Sequence, residues 1–430
     1  LATARTLAEW LAYIERQHPA SIALGLERVG EVHRRLAPIL SGAVISVGGT
    51  NGKGSTCAML EAILRAAGYG IGLYSSPHLL RYNERVRIDG REASDAALCE
   101  SFAAVEQARG EVPLTYFEFG TLGALWLFAR ARPEVVVLEV GLGGRLDAVN
   151  VIEPDCAVLT AIDIDHREYL GATRESIGRE KAGILRAGRP AVIGDREPPR
   201  SVLEAARAIG ARVLRLGQEY GCEAQDGQWR YWGPGGRSVS LAHPALRGRV
   251  QLDNAATAIC ALETLHDRLP VSMQHVRQGL ARVELPGRFQ VLPGRPSVVL
   301  DVAHNPQAAR TLADNLAAAG YAPRTIAVLG MLADKDIDAV VAALAQRVTR
   351  WQLASLPGPR GARAEQLEAA LRRCGVRASL SCHADPRAAF RAALEEASAD
   401  DRIVVFGSFL TVGEVAATLE STRGRSPFDG

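Results

Sequence analysis

The sequence predicts an α/β protein: a P-loop-type, mostly parallel sheet in an N-terminal domain with a small antiparallel β insertion, followed by a smaller, Rossmann-like α/β domain. Three observations carry this reading. Short β-branched runs alternate with Ala- and Leu-rich stretches, AVISV (43 to 47) before 54 to 67 and CAVLTAI (156 to 162) before 174 to 186. Continuous apolar runs with helical stretches between them mark βαβ units around a buried parallel sheet. At 430 residues the chain also exceeds what one ordinary hydrophobic core holds. Finally, Pro286, Gly287, Pro293, Gly294 and Pro296 interrupt the pattern before SVVLDVA (297 to 303) restarts it.

Taken in order, LATARTLAEWLAYIERQHP breaks its apolar positions with Arg5, Glu9 and Glu15, the pattern of an amphipathic helix rather than of a signal peptide. A cytoplasmic location is therefore expected. AVISV and EVVVLEV (134 to 140) read as buried strands. From about residue 212 to 250 the texture changes to short segments rich in Gly, Trp and Tyr, such as GQWRYWGPGGRSVSL, which predicts the antiparallel insertion. Beyond the break, TIAVLG, RWQLASL and RIVVFG read as strands, with helical stretches near 307 to 319, 336 to 348, 363 to 373 and 386 to 398. These features predict a first domain at 1–288, a linker at 289–296 and a second domain at 297–430.

Composition narrows the function. Fifty basic against 48 acidic residues leave a net charge of +2, so no global field selects nucleic acid or a membrane surface. No apolar run reaches the roughly 20 residues of a membrane span. Seven scattered cysteines without a CxxC pair argue against a disulfide framework or a zinc site and read as buried small hydrophobes.

Chemistry concentrates in SVGGTNGKGST (46 to 56). A strict P-loop has Ser or Thr directly after the Lys, whereas here Gly54 separates Lys53 from Ser55. The glycines let consecutive amides approach phosphate oxygens, and a helix starting near Ser55 adds its positive end. Lys53 then supplies a point charge for the terminal phosphates and Ser55 a hydroxyl ligand for Mg²⁺. Magnesium needs further oxygen ligands, and Glu139 ends a buried strand where a carboxylate without a cation is costly. AIDIDH (161 to 166) offers Asp163, Asp165 and His166, although by spacing alone His166 reads more readily as a structural histidine than as a ligand.

Nine segments occur in order: GTNGKGS (49 to 55), SSPHLLRYNERVRIDG (75 to 90), TYFEFGTLGALWLF (115 to 128), LEVGLGGRLDAVN (138 to 150), DIDH (163 to 166), REKAGI (179 to 184), LPGRFQ (285 to 290), DVAHNP (301 to 306) and FGSFLTVGEV (406 to 415). Together with SIALGLERV (21 to 29), the chain resembles the folylpolyglutamate synthases of the Mur ligase superfamily, specifically the bacterial bifunctional dihydrofolate synthase/folylpolyglutamate synthases. Gly54 fits that family, since its phosphate loop carries the extra glycine that Mur ligases proper lack. The resemblance implies Thr50, Asn51, Gly52, Lys53, Gly54, Ser55, Asn254, Arg288 and Asp301 at the nucleotide. It implies Ser55, Glu139 and His166 as magnesium ligands. Lys53, Lys181 and His304 would be catalytic, with Lys181 either carbamylated and holding a second metal or contacting phosphate directly. Ser76, His78, Arg81, Phe117, Asp147 and Ser408 would bind substrate. Phe117 reads equally as core, and Asn254 equally as a helix N-cap.

The activity implied is ATP-dependent: phosphorylation of the carboxylate of dihydropteroate or of a reduced folate, then attack by L-glutamate, by a monomer using no nucleic acid or membrane. The site is expected in a cleft between the domains, with a hinge at 284 to 296. Three alternatives remain at this stage: a monofunctional folylpolyglutamate synthase, a Mur-type peptidoglycan ligase, and a nucleotide-binding switch without ligase chemistry. Glu139, His166 and Lys181 together disfavour the switch.

Overall fold

The computed structural model describes residues 5–20 and 22–423; Ser21, which opens the SIALGLERV motif, and the two termini of the predicted domains lie outside the described residues. The chain forms two compact units, one of residues 1–78, 82–245 and 251–283, the other of residues 79–81, 246–250 and 284–430. No helix among the described residues is long and apolar enough to cross a membrane.

In chain order the first unit contains α1 (Leu7–Ile14), α2 (Glu27–Leu36), β1 (Ala43–Gly48), α3 (Lys53–Ala66), β2 (Ile71–Tyr74), β3 (Val86–Ile88), β4 (Arg91–Glu92), α4 (Asp95–Arg109), α5 (Tyr116–Ala131), β5 (Val135–Glu139), β6 (Cys156–Leu159), α6 (Arg167–Leu170), α7 (Arg174–Lys181), β7 (Pro190–Ile193), α8 (Arg200–Ile209), β8 (Arg212–Arg215), β9 (Gly221–Gln225), β10 (Gln228–Trp232), β11 (Ser238–Leu241), α9 (Val250–Thr264) and α10 (Met273–Arg282). Its eight-stranded sheet runs β4-β3-β2-β5-β1-β6-β7-β8. Six strands are parallel, and β3 and β4 form an antiparallel edge. β1, β2, β5, β6 and β7 are buried along their whole length, which requires cover on both faces and accounts for the unbroken apolar runs. Because β1 is followed in sequence by β2 on one side yet borders β5 and β6, a crevice opens beyond the carboxyl ends of these strands.

The antiparallel insertion is narrower than the expected 212–250. Arg212–Arg215 joins the parallel sheet as β8, and the separate three-stranded sheet is β9 to β11. In β10 the alternation is strict: Trp229 and Tyr231 are buried while Gln228 and Arg230 are exposed. The Tyr231 hydroxyl donates to Glu263 Oε2 at 2.6 Å, tying this sheet to α9.

The second unit adds β12 (Gln290–Leu292), β13 (Ser297–Leu300), α11 (Pro306–Ala318), β14 (Thr325–Leu329), α12 (Ile337–Leu344), β15 (Arg350–Ala354), α13 (Ala364–Arg373), β16 (Ser379–His383), α14 (Pro386–Glu396), β17 (Arg402–Phe406) and α15 (Phe409–Arg423). The sheet order is β12-β13-β17-β14-β15-β16, parallel except for β12. The segment 289–296 is therefore not a free linker. Gln290, Val291 and Leu292 pair with β13 as an edge strand, the position where the flanking prolines can be tolerated.

Helix α10 crosses α3 with glycine at the contact: a Cβ on Gly279 would stand 2.5 Å from Ile63 Cα. Backbone cannot rotate aside as a side chain can. Gly279→Ala is expected to destabilise by ~1–3 kcal/mol through overpacking, outweighing the ~1 kcal/mol gained in helix propensity. A lower urea midpoint would register this, whereas an unchanged midpoint would mean that the two helices have room to spare.

Candidate active site

The phosphate loop leaves β1 at Gly49, whose φ of +144° suits glycine and where a Cβ would lie 1.8 Å from Thr160 Oγ1. Thr160 just follows β6, and its hydroxyl donates to Gly48 O at 3.1 Å. The loop thus starts from a fixed point. Gly52, with φ +91°, precedes α3, and Thr56 N–H makes a helical bond to Gly52 O at 2.9 Å. By helix geometry the amides of Lys53, Gly54 and Ser55 have no acceptor within the helix and are directed outward at its positive end. The helix begins two residues earlier than expected, so Gly54 lies inside its first turn. Asn254 packs on the loop: its Oδ1 would be 2.5 Å from a Cβ on Gly52, and its Nδ2 donates to Gln251 Oε1 at 3.0 Å. Because Asn254 sits within α9, the N-cap alternative does not hold.

Both predicted catalytic lysines of this unit converge on one oxygen. Lys53 Nζ donates to Gly49 O at 3.2 Å and Thr50 O at 3.3 Å, and Lys181 Nζ donates to Gly49 O at 2.7 Å. Lys181 is 4% exposed, and burial, reinforced by Lys53, pulls its ammonium down to about 7; Asp165 and Asp147 oppose the shift. Two cations held this close prepare the site for a polyanion.

Thr50 ties the phosphate loop to the segment after β6. Its N–H donates to Ala161 O at 2.7 Å, its hydroxyl donates to Asp163 O at 2.9 Å, and Asp163 N–H donates back to that hydroxyl at 3.0 Å. Asn51 N–H also reaches Ala161 O, at 3.3 Å. These bonds zip the phosphate loop to the segment that carries Asp165 and His166. His166 itself has φ +50°, precedes α6, and donates its N–H to Asp165 Oδ1 at 2.8 Å.

Glu139 ends β5 opposite Val47 of β1 and is 4% exposed. Ser76 N–H donates to its Oε2 at 3.2 Å, which places the backbone of Ser76 beside this carboxylate. Ser55 is buried in the first turn of α3. Among the described residues no three His, Cys, Asp or Glu side chains form a metal-binding group. A hard cation that keeps several waters needs fewer protein ligands, and the buried Glu139 carboxylate with the Ser55 hydroxyl fits Mg²⁺ by donor chemistry.

On the substrate side, Phe117 lies at the start of α5 with its ring over Gly141, where a Cβ would be 2.5 Å from Phe117 Cζ. It is partly buried and packs on the core, as its core reading expects. Asp147 is 3% exposed, accepts N–H donors from Leu142 (2.8 Å) and Val149 (3.0 Å), and is pushed by burial up to about 6. His78 accepts Arg85 Nε–H at 2.8 Å, and burial together with Arg85 pulls it down to about 4, which keeps the ring neutral. Arg81 is exposed and groups with the second unit, apart from His78.

In the second unit, Asp301 accepts N–H donors from Phe289 (2.9 Å) and Ala303 (2.8 Å); burial raises its carboxyl, opposed by the neighbouring Arg288. The Arg288 guanidinium lies 5.1 Å from the centre of the Phe409 ring. His304 Nδ1 is 2.8 Å from Val302 O. Ser408 is 4% exposed and accepts Thr411 N–H at 3.0 Å, an N-cap for α15; its hydroxyl is thus engaged in a structural task that the sequence reading did not assign. Sequence reasoning also passed over Thr160 and Phe409. For Thr160 no local signal exists, whereas Phe409 was quoted within a motif and given no role.

The chain matches the Mur ligase middle domain over residues 47–262 and the Mur ligase glutamate ligase domain over residues 287–409. It is 47% identical over 421 residues to the dihydrofolate synthase/folylpolyglutamate synthase of Escherichia coli strain K12, covering 98% of this chain and 97% of that one. Among solved structures it superposes on E. coli FolC in complex with DHPP and ADP with a TM-score of 0.92, at 46% identity and coverage of 98% and 99%. A bifunctional folylpolyglutamate synthase/dihydrofolate synthase with Mn, AMPPNP and L-glutamate bound gives 0.89 at 48% identity, covering 97% of this chain and 98% of that one.

Two variants test this geometry. Thr50→Val leaves the Asp163 N–H and C=O without their partner, an expected loss of ~1–3 kcal/mol that should cut turnover at least ~10-fold, with Thr50→Ser restoring it. Full activity in the valine variant would remove the zipper from the mechanism. Lys181→Met removes a buried cation. Below pH 7 native and unfolded parent chains both hold the proton and the burial penalty is complete; between about 7 and 10.5 only the unfolded chain holds it, so the parent gains ~1.4 kcal/mol per pH unit. The stability advantage of the methionine variant should therefore shrink from pH 6 to 9 in paired urea titrations, and a constant difference would contradict the depressed lysine.

Proposed function

This chain belongs to the dihydrofolate synthase/folylpolyglutamate synthase family of the Mur ligases, and from that premise we infer that it is an ATP-dependent ligase adding L-glutamate to dihydropteroate and to the γ-carboxylates of folates. The observation that carries the reading is the pair of ammonium groups, Lys53 and Lys181, on the Gly49 carbonyl at the mouth of the phosphate loop.

A carboxylate resists attack by an amine because it is negative and has no leaving group. ATP removes the obstacle: a carboxylate oxygen of the substrate bonds to the γ-phosphorus as the bond to ADP breaks. The glutamate amine then attacks the acyl carbon, the C–N bond forms, the C–O bond to phosphate breaks and the amine loses a proton. Amide, ADP and phosphate result. Such phosphoryl transfer is catalysed by positioning and charge, which here fall to Lys53 and the outward amides of α3. Lys181 would meet the charge on the acyl phosphate. Mg²⁺, with Glu139, Ser55 and His166 as its holders, would neutralise the phosphates.

An amine titrating near 7 has a large neutral fraction at neutral pH, the form that adds CO₂. This supports carbamylation of Lys181, with loss of one proton and gain of an oxygen ligand for a second metal. His304, whose Nδ1 lies 2.8 Å from Val302 O, is assigned the task of taking the proton from the attacking amine. Asp301 and Arg288 are assigned to the nucleotide, Asn254 to the loop beside it, and Phe117 with Asp147 to the pteridine. A near-neutral net charge supports action without nucleic acid, and seven free cysteines support a reducing, cytoplasmic setting. A monomer is the expected form.

The deciding experiment measures ADP release with Mg²⁺ and L-glutamate, adding either dihydropteroate or tetrahydrofolate. Turnover is expected with both. Turnover with the folate alone would make the enzyme monofunctional, and turnover with neither would overturn the ligase reading.

A further inference from the structure

The second unit holds an aromatic ring to which no role has been given. Phe409 is the first residue of α15 and half-buried, packed against the core formed by Val298, Leu300, Val405 and Val412. Its position is set by a rigid turn. Gly407 has φ +109°, a Cβ there would meet Gly330 O at 2.4 Å, and its N–H donates to Ala303 O at 3.0 Å. Ser408 then caps the helix through Thr411 N–H. The backbone that carries the ring is thereby fixed.

Two polar groups border it. The Arg288 guanidinium carbon is 5.1 Å from the ring centroid, within the range of a cation–π contact, and the His304 ring centroid is 6.2 Å away at an interplanar angle of 54°. The backbone at Arg288 is fixed from the other side: Asp301 accepts the N–H of Phe289, which has φ +43°. A guanidinium resting on an aromatic ring keeps its in-plane N–H groups directed outward, the geometry that binds phosphate oxygens.

We propose that Phe409 is a positioning residue for the ligase reaction, a platform that orients Arg288 so that its donors face the nucleotide phosphates. The proposal rests on the assignment of Arg288 to the nucleotide. Without the ring, the arginine keeps its attraction to Asp301 but loses the surface that fixes the plane of its guanidinium, and that plane must be set when ATP binds.

The test is a double-mutant cycle in the full chain, using ADP release at saturating glutamate and folate with ATP varied. Phe409→Leu is expected to lower kcat/KM for ATP ~5–30-fold, the scale of one cation–π contact plus side-chain ordering, with the KM for glutamate unchanged. Phe409→Tyr, which keeps the π face, should stay within ~2-fold of the parent. In an Arg288→Ala background the further loss from Phe409→Leu should vanish, because a residue that acts through another has nothing left to align. Thermal melts verify folding, and Phe409→Met serves in the same cycle if the leucine variant does not fold. Additive losses, or a leucine variant as active as the parent, would overturn the platform while leaving Arg288 in place. A parental kcat/KM for ATP in Arg288→Ala would instead overturn the nucleotide assignment itself, and the platform with it.

Discussion

One backbone carbonyl, that of Gly49, accepts hydrogen bonds from two lysine ammonium groups, and the rest of the first unit is arranged around that crowding. Like charges at such range repel, and burial strips Lys181 of the water that would screen it. Asp147 and Asp165 offset part of the cost without removing it. What keeps the arrangement in place is rigid surroundings: a glycine where Thr160 leaves no space for a side chain, a helix whose first amides add further positive potential, and buried strands on either side. Stability is given up locally so that a triphosphate meets charge already in position.

The sheet's architecture was largely readable because buried parallel strands write themselves as unbroken apolar runs, and AVISV and EVVVLEV are such runs. Lys53 and Glu139 were readable for a related reason, Glu139 ending one such run and Lys53 opening the helix that follows the other. What escaped was anything decided by partners distant in sequence. Thr50 looks like a phosphate-loop threonine, yet its hydroxyl is taken up by Asp163, more than a hundred residues on. Ser408 looks like an exposed hydroxyl at a strand end and is a helix cap. Gln290 to Leu292 lay between prolines and read as linker, because an edge strand needs only one neighbour and leaves little periodicity to find.

The substrate side shows how a carboxylate can be both structural and available. Asp147 uses one lone pair on each oxygen to hold backbone N–H groups of its own loop. A carboxylate has about four lone-pair sites, and Gly141 lies close enough to Asp147 to lower its carboxyl as well. Arg85 and His78 lie nearby: a neutral imidazole accepts from the guanidinium, whose positive charge rests over the Tyr82 and Tyr116 rings.

Since α3 begins at Lys53, the extra glycine is not slack in a loop but one residue of a helix. Each helical residue turns the chain by about 100° and advances it by ~1.5 Å. Moving the hydroxyl from the position after the lysine to Ser55 therefore swings it about a quarter-turn around the helix axis, while Lys53 stays where it was. Angular phase, not loop length, is what separates this phosphate loop from the strict spelling. Excising Gly54 would restore the familiar motif on paper and point its serine at the wrong side of the helix.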